Sequence, residues 1–423
     1  MELVQSKYKQ TEVGLIPEDW SVKKIVEISN PVRGGSPRPA GSPKYFNGDY
    51  IPWLTVASLT NISDSQIYVN RTNSYLTEAG SHLSRILDVE TLIIANSGAT
   101  LGVAKLLGIK CCANDGVAAL QDIEKAISSK YLVYFINSIT KKLREDIATG
   151  NGQPNLNTEL IGNISIPIPS TLNEQKAITT ALSDLDDLIT NLEKLISKKK
   201  AIKQGAMQQL LKGKLRLKGF DSNEGYKDSE LGLIPSDWDV KPLPEVFDYI
   251  HGKAHEQFID KSGNYKVVNS KYISSEGKVV KYSKQNFCPA RQGDILTVLS
   301  DLPNGKALAK TFYVEEDNVH AVNQRVCIWR SKKDDSLFLN YVMNRHKYFL
   351  KFDDGVTQTH ILNHHIEKCP VLVPRNIEEQ KAIGICLRDM QKELESLEIK
   401  KAKYQDMKQG MMQELLTGKT RLV

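Results

Sequence analysis

Cysteine is scarce in this 423-residue chain: six residues, with no CxxC pair and no framework spacing. That excludes a disulfide scaffold and fits reduced thiols in a cytoplasmic protein. Long apolar runs are missing too. No stretch approaches the ~18 apolar residues of a membrane span, and the polar start MELVQSKYKQ does not read as a signal peptide. There is no Pro-Pro dipeptide, hence no NPPY-type loop of an adenine N6-methyltransferase, and no GxGxxG dinucleotide fingerprint. Gly418-Lys419-Thr420 supplies only the last three letters of a P-loop; Gln413 stands where its first glycine belongs, and the segment ends a helix instead of opening one. His251 and His255 lie four apart, but HGKAHE lacks the HExxH order. Charge of one sign is not in large excess: 56 basic against 50 acidic residues give +6, which permits an anionic partner without demanding one.

What is present is a repeat. Asn173 to Leu217 (NEQKAITTALSDLDDLITNLEKLISKKKAIKQGAMQQLLKGKLRL) returns at Glu378 to Leu422, shifted by 205 positions without a gap, with 21 of 45 positions identical. Apolar residues step by four and three in both copies. They are Ile178, Leu182, Leu185, Ile189, Leu192 and Ile196 in the first, and Ile383, Leu387, Met390, Leu394 and Leu397 in the second. This heptad seam calls for a partner helix. Some forty residues at about 1.5 Å each make a rod roughly 60 Å long. A second repeated piece precedes it: YKQTEVGLIPEDWSVKKI (Tyr8 to Ile25) matches YKDSELGLIPSDWDVKPL (Tyr226 to Leu243) at 11 of 18 positions. The chain is therefore two copies of one unit: entry motif, variable block, strut helix. The offset falls from 218 to 205, so the second block is thirteen residues shorter.

The expected division is a first domain with its entry motif over 1–168, a strut helix over 169–217, a second domain with the repeated entry motif over 218–373 and a second strut helix over 374–423. In the entry motif, Pro17 fixes a turn and Trp20 is expected to anchor on the domain that follows. Leu92-Ile93-Ile94-Ala95 followed by NSGATLGVAKLLG reads as a buried strand, a glycine-rich turn and a second strand; Gly293 to Lys310 is its counterpart. CCANDGVAAL (Cys111 to Leu120) pairs with HAVNQRVCIW (His320 to Trp329), sharing an Asn and a Val in register. Lys130 to Ile147 is expected to be an amphipathic helix, repeated over Leu337 to Phe352. Short strands with Gly, Asn and Ser corners make each block a β-rich α/β domain. Two related units and two rods suggest antiparallel helices with pseudo-two-fold symmetry.

Polar and basic residues on small-residue loops are the candidates for contact with nucleic acid, because Arg and Lys suit phosphates or guanine edges and Asn and Gln suit adenine edges. In the first block these are Arg33, Arg38 and Lys44 in the Gly/Pro/Ser-rich stretch Pro31 to Leu59, then Asn114, Gln153 and Asn155. In the second they are Lys253, Lys306, Gln324, Arg325, Gln358 and His360. At offset 205 the closing loops match, Gly150 with Gly355 and Gln153 with Gln358. The bland readings are a surface loop with scattered charge and polar turns that satisfy their own backbone. His360, His364, His365 and Cys369 form the densest ligand-like cluster, yet it has no first-copy counterpart, and no metal site is assigned. Glu174-Gln175-Lys176 and Glu379-Gln380-Lys381 look like half of a nuclease ExK motif, but acids in a helix's first turn complement the dipole anyway.

GLIPEDW and GLIPSDW, the block RGGSPRPAGSPKYFNGDYIPW, the loop GQPNLN and the two EQKAI…QGxMQxLL…GK helices form an ordered, duplicated set. With these residues the chain resembles the specificity (S) subunit of type I restriction–modification systems over essentially its whole length. The resemblance implies a non-catalytic, cytoplasmic subunit with two target recognition domains, each reading one half of a bipartite site in double-stranded DNA. It implies two methyltransferase (M) subunits that methylate adenine with S-adenosylmethionine, and restriction (R) subunits that use ATP and Mg2+. No cofactor is expected on this chain itself, and no membrane partner. The second closing loop, TQTHIL, departs from GQPNLN. The competing readings are a self-contained DNA-modifying or cleaving enzyme and a coiled-coil scaffold with no nucleic-acid role.

Overall fold

A computed structural model describes residues 7–148, 154–221, 225–302, 306–353 and 355–422. The chain forms two compact units, residues 1–196 with 397–423, and residues 197–396. Each strut is one continuous helix, Leu172–Leu210 and Ile377–Leu415, and each gives part of its length to either unit.

The first unit is built on two sheets. One is five-stranded, in the order Asn30–Arg33, Val117–Gln121, Leu92–Ala95, Ala104–Leu107, Tyr68–Val69; the other runs Ser74–Leu76, Phe46–Leu54, Cys111–Ala113, Arg85–Leu87. The apolar run Leu92–Ala95 is buried at every residue because it is central, with neighbours on both sides. The second unit repeats this topology with little sequence in common. Its four-stranded sheet runs Phe247–His251, Val326–Ser331, Ile295–Val298, Thr311–Tyr313, and its three-stranded sheet Tyr282–Ser283, Tyr265–Val268, His320–Val322. The hairpin expected at Leu92 and its counterpart at Gly293 occupy the same place in the two sheets, Ile94 facing Ala104 and Thr297 facing Thr311. A parallel pair recurs at the equivalent position of the two units, Cys112 with Trp53 and Ala321 with Val267, and the first unit holds a second one, Leu106 with Tyr68. The β-rich α/β fold expected from the sequence is thus present twice.

Two expectations need correction. The stretch from Lys130 is not one helix through Ile147: the helix covers Ser129–Ser138, and Tyr131 to Ile136 within it are six consecutive buried residues. Its hydroxyls are used inward, Tyr134 donating to Asp186 of the strut at 2.7 Å and Tyr131 to the Pro167 carbonyl at 2.7 Å. The helix then breaks at Ile139, with a three-residue turn and a wide turn over Leu143–Ile147. Nor do the struts run through Leu217 and Leu422. They stop at Leu210 and Leu415, and Gly213 and Gly418 follow with φ of +64° and +71°. A side chain there is excluded on two counts, since left-handed φ favours glycine and a Cβ would lie 2.4 Å from Pro235 or 2.5 Å from Pro17.

The reversed tail serves a clamp that recurs in both units. In the first, the Arg421 guanidinium donates to both oxygens of Glu174 and to both of Asp19, the latter at 2.9 and 3.0 Å, and it covers the Trp20 ring at 5.7 Å. In the second, Arg216 makes the same contacts with Glu379 and Asp237 over Trp238. Trp20 and Trp238 are buried as expected, and Trp20 donates its indole N–H to Glu174 at 3.3 Å. The following glutamines are structural too: Gln175 accepts from the Ser128 amide and Gln380 from the Asp335 amide, each tying strut to domain. The ExK likeness therefore has a structural explanation, a bidentate carboxylate–arginine pair.

Within each unit the two struts run antiparallel. Lys408 pairs with Asp186 and Lys401 with Glu193 in the first unit; Lys199 pairs with Glu393, and Lys203 donates to Gln391, in the second. Of the seam residues, Ile178 and Leu182, like Ile383 and Leu387, enter the cores of their own domains. Leu185, Ile189, Leu192, Ile196 and Leu394 are buried farther along, while Met390 and Leu397 are half-buried. The stripe is therefore part domain anchor and part helix seam.

Candidate nucleic-acid interface

Arg33 ends the edge strand of the five-stranded sheet, and the chain then crosses the turn between Cys111–Ala113 and Val117–Gln121. The crossing needs a glycine: a Cβ on Gly34 would lie 2.1 Å from the Asn114 carbonyl. At that crossing sits a concavity of about 410 Å³ lined by Arg33, Val56, Ser97, Gly98, the turn Asn114-Asp115-Gly116, Pro154 and Asn155. Three of the residues singled out from the sequence, Arg33, Asn114 and Asn155, thus converge from separate segments of the chain. Asn155 is placed by a bridge to Ser97, next to the Leu156 amide, which donates to the Asn96 carbonyl at 2.8 Å.

Polarity is concentrated there. Arg33 Nε–H donates to the Asp115 carbonyl at 2.7 Å, and Arg85 Nε–H holds the Arg33 carbonyl at 2.7 Å. The Asp115 carboxylate accepts from Ser36 Oγ at 2.6 Å and lies 3.7 Å from the exposed Arg38 guanidinium. Asn114 Oδ1 is shielded from solvent yet accepts no hydrogen bond, an acceptor held in reserve beside the cavity. Lys44 is exposed with its ammonium over the Tyr45 ring at 5.4 Å, and it does not line the cavity. Gln153 lies outside the described residues.

The second unit builds the same backbone with different side chains. Gly252 makes the crossing, where a Cβ would lie 2.1 Å from the Asn323 carbonyl. Lys253 follows it, exposed. The turn is Asn323-Gln324-Arg325, with Gln324 and Arg325 exposed. His360 bridges Ser300, as Asn155 bridges Ser97, and the Ile361 amide donates to Leu299 at 2.9 Å. Gln358 donates to Ser300 Oγ at 3.0 Å. Lys306 is exposed on the loop after Ser300–Asp301. Here the turn asparagine is fully engaged: its amide donates to Glu256 at 2.7 Å and its oxygen accepts from the His255 amide. That Asn323 bond, before all other contacts, holds the Glu256 carboxyl below its ordinary value.

Residues 17–204 and 235–404 match the model of the type I restriction modification DNA specificity domain. The chain belongs to this family. The MjaVIII specificity subunit of a type I restriction enzyme from Methanocaldococcus jannaschii is 26% identical, across 99% of this chain and 97% of its own. The MjaIX specificity subunit from the same organism is 31% identical over 60% of this chain and 57% of its own. The crystal structure of the type I restriction–modification S subunit from M. genitalium has the same fold, with a TM-score of 0.60 at 16% identity, covering 97% of this chain and 99% of that one.

Several residues of this specificity-family site escaped sequence reasoning. Ser36, Arg85, Ser97, Asp115 and Val56 carried no signal beyond being polar or β-branched, because only the crossing at Gly34 brings them together. The histidine-rich stretch does not converge. His365 stacks on Phe352 at 3.7 Å, while Cys369 Sγ faces the half-buried His346 instead. Among the described residues no group of three or more His, Cys, Asp or Glu is placed to hold a metal ion, and no helix is long and apolar enough to cross a membrane.

Proposed function

We propose that this chain is the DNA-reading subunit of a cytoplasmic type I restriction–modification complex, each unit reading one half of a bipartite, asymmetric site in double-stranded DNA. In this reading the chain carries no catalytic groups. Two methyltransferase subunits docked on it methylate adenine with S-adenosylmethionine, and restriction subunits supply ATP- and Mg2+-dependent cleavage. The observation that carries it is the pair of equivalent sites. One backbone frame holds Arg33, Asp115 and Asn155 in one unit and Lys253, Gln324, Arg325 and His360 in the other. Like frames with unlike donors and acceptors suit two unlike half-sites, since base identity is read through side chains at groove edges. Family membership and the MjaVIII and MjaIX relatives, both called specificity subunits, support the same conclusion.

The test is to map methylated adenines in cells expressing the chain with its methyltransferase subunits. The expected result is one motif with two dissimilar halves. Methylation or cleavage of duplex DNA by the pure chain given S-adenosylmethionine and Mg2+ would favour the self-contained enzyme and sink this reading.

A further inference from the structure

The two sites can be superposed bond by bond. The Asn114 amide donates to Leu54 and the Asn323 amide to Val268; Val117 donates back to Asn114 and Val326 to Asn323. Gly34 donates to Val117 and Gly252 to Val326; Gly35 to Ala113 and Lys253 to Val322. Asn96 donates to Gly116, and Leu299 to Arg325, both at 3.0 Å. These matched bonds set Arg325 at the position of Gly116. They also set Ser270 at the position of Val56, each two residues beyond the strand end that receives the turn's amide and each the first residue of a short helix.

The two differences are linked. A Cβ on Gly116 would lie 2.7 Å from Val56 Cγ2, closer than side chains approach, so the first unit has no room for a side chain at this point of the turn. In the second unit the smaller, polar Ser270 stands in valine's place, and the turn carries an arginine. That arginine is exposed, and among the described residues no carboxylate pairs with it. It is held by its backbone carbonyl on one side of the strand end at Leu299, next to the Ser300–His360 bridge. An unpaired guanidinium fixed at its base by a turn and free at its fork suits two parallel acceptors in one plane.

We infer that Arg325 is a specificity-determining residue of the second unit, reading the O6/N7 edge of a guanine, and that Val56 over Gly116 denies the first unit the same contact. This rests on the proposed function and deepens it by naming a base and a residue. Guanine is the base whose major-groove edge offers two adjacent acceptors to an arginine fork.

The experiment uses the full chain assembled with its methyltransferase subunits, selecting bound duplexes from a randomised pool and reading both half-sites. R325Q and R325A are compared with the parent, and thermal melting confirms folding, which is expected because among the described residues only the backbone of Arg325 is hydrogen-bonded. The expected outcome is loss of about ten- to hundred-fold preference for guanine at one position of one half-site, the other half-site unchanged. A uniform loss across all sequences, with a shallower salt slope, would make Arg325 a phosphate contact and overturn the inference alone. An unchanged motif would do the same. A parent complex that selects no motif in either half would overturn the proposed function along with it.

Discussion

Arg421, two residues from the end of the chain, is expected to hold up the first domain. Its side chain is 15% exposed and meets Glu174, whose side chain is 2% exposed, in a two-point pair, while Asp19 closes the other edge. Replacing Arg421 with alanine leaves the Glu174 carboxylate buried without its counter-charge, a change that typically costs about 3–5 kcal/mol. The unit holds about 220 residues, for which about 1 kcal/mol moves the melting point by roughly 2–4 °C. A depression of roughly 6–20 °C should follow in calorimetry, confined to one of two transitions, and R216A should depress the other. E174Q added to R421A should recover part of the loss, because an uncharged amide tolerates burial better. The pH dependence has a definite sign. The Arg421 bond before other causes holds the Asp19 carboxyl below its ordinary 3.8. Stability from that pair is complete above this value and is lost as pH falls through the lower folded value. R421A should therefore show a flatter acid limb than the parent. Melting of R421A within a degree or two of the parent, or a shift in the wrong transition, would refute the clamp.

Other consequences can be measured as directly. Gly116→Ala should destabilise the first unit by about 1–3 kcal/mol through overlap with Val56, and V56A in the same chain should recover part of it; strictly additive losses in a double-mutant cycle would contradict the contact. Arg33→Ala should weaken binding by the assembled complex by about 1–3 kcal/mol and disturb one half-site only; unchanged affinity and motif would remove it from the interface. Lys105, buried at 1% exposure, has its ammonium pushed down to about 8 by burial. The unfolded chain binds the extra proton between about pH 8 and 10.5, so stability should rise across that window by roughly 2–4 kcal/mol. K105M should abolish the rise, and an equal slope in both proteins would disprove it. Affinity of the complex for DNA should fall steeply with salt, as counterion release requires, whereas the chain alone, with a net charge of only +6, should bind weakly; equal affinity for chain and complex would contradict this.

Much of the frame was legible in the sequence because it rests on local periodicity and on repetition. The 205-residue offset exposed both struts, and the shared Asn and Val of CCANDGVAAL and HAVNQRVCIW paired the two segments in register. Helix ends were misjudged because the tail residues Lys214 to Leu217 have ordinary helix propensity. What stops the helix is Gly213 packed on Pro235, a contact between residues 22 positions apart. The stretch from Lys130 misled for a related reason: a run such as YLVYFI is buried all round only when a sheet and a strut take opposite faces. The concavity itself was not legible. Arg33, Ser97, Asn114 and Asn155 belong to four chain segments, and their meeting depends on a strand crossing that leaves no mark but a glycine.

The repeated and divergent residues separate by the kind of bond each makes. Pro17, Asp19, Trp20, Glu174, Gln175, Gly418 and Arg421 recur as Pro235, Asp237, Trp238, Glu379, Gln380, Gly213 and Arg216, and nearly all act through side chains: ion pair, ring cover, amide bridge. Changing any one breaks a contact that only its own chemistry makes. At the candidate interface the opposite holds. The turn, the crossing and the bridge to the closing loop are held by backbone amides and carbonyls, which every residue except proline can supply. Gly35 can therefore become Lys253, Asp115 become Gln324 and Asn155 become His360 with the frame intact. Only where a side chain meets a wall, as Gly116 does at Val56, must two positions change together. A surface built this way can change the side chains it presents with its backbone frame intact, while the clamp residues are tied to one another by their side chains.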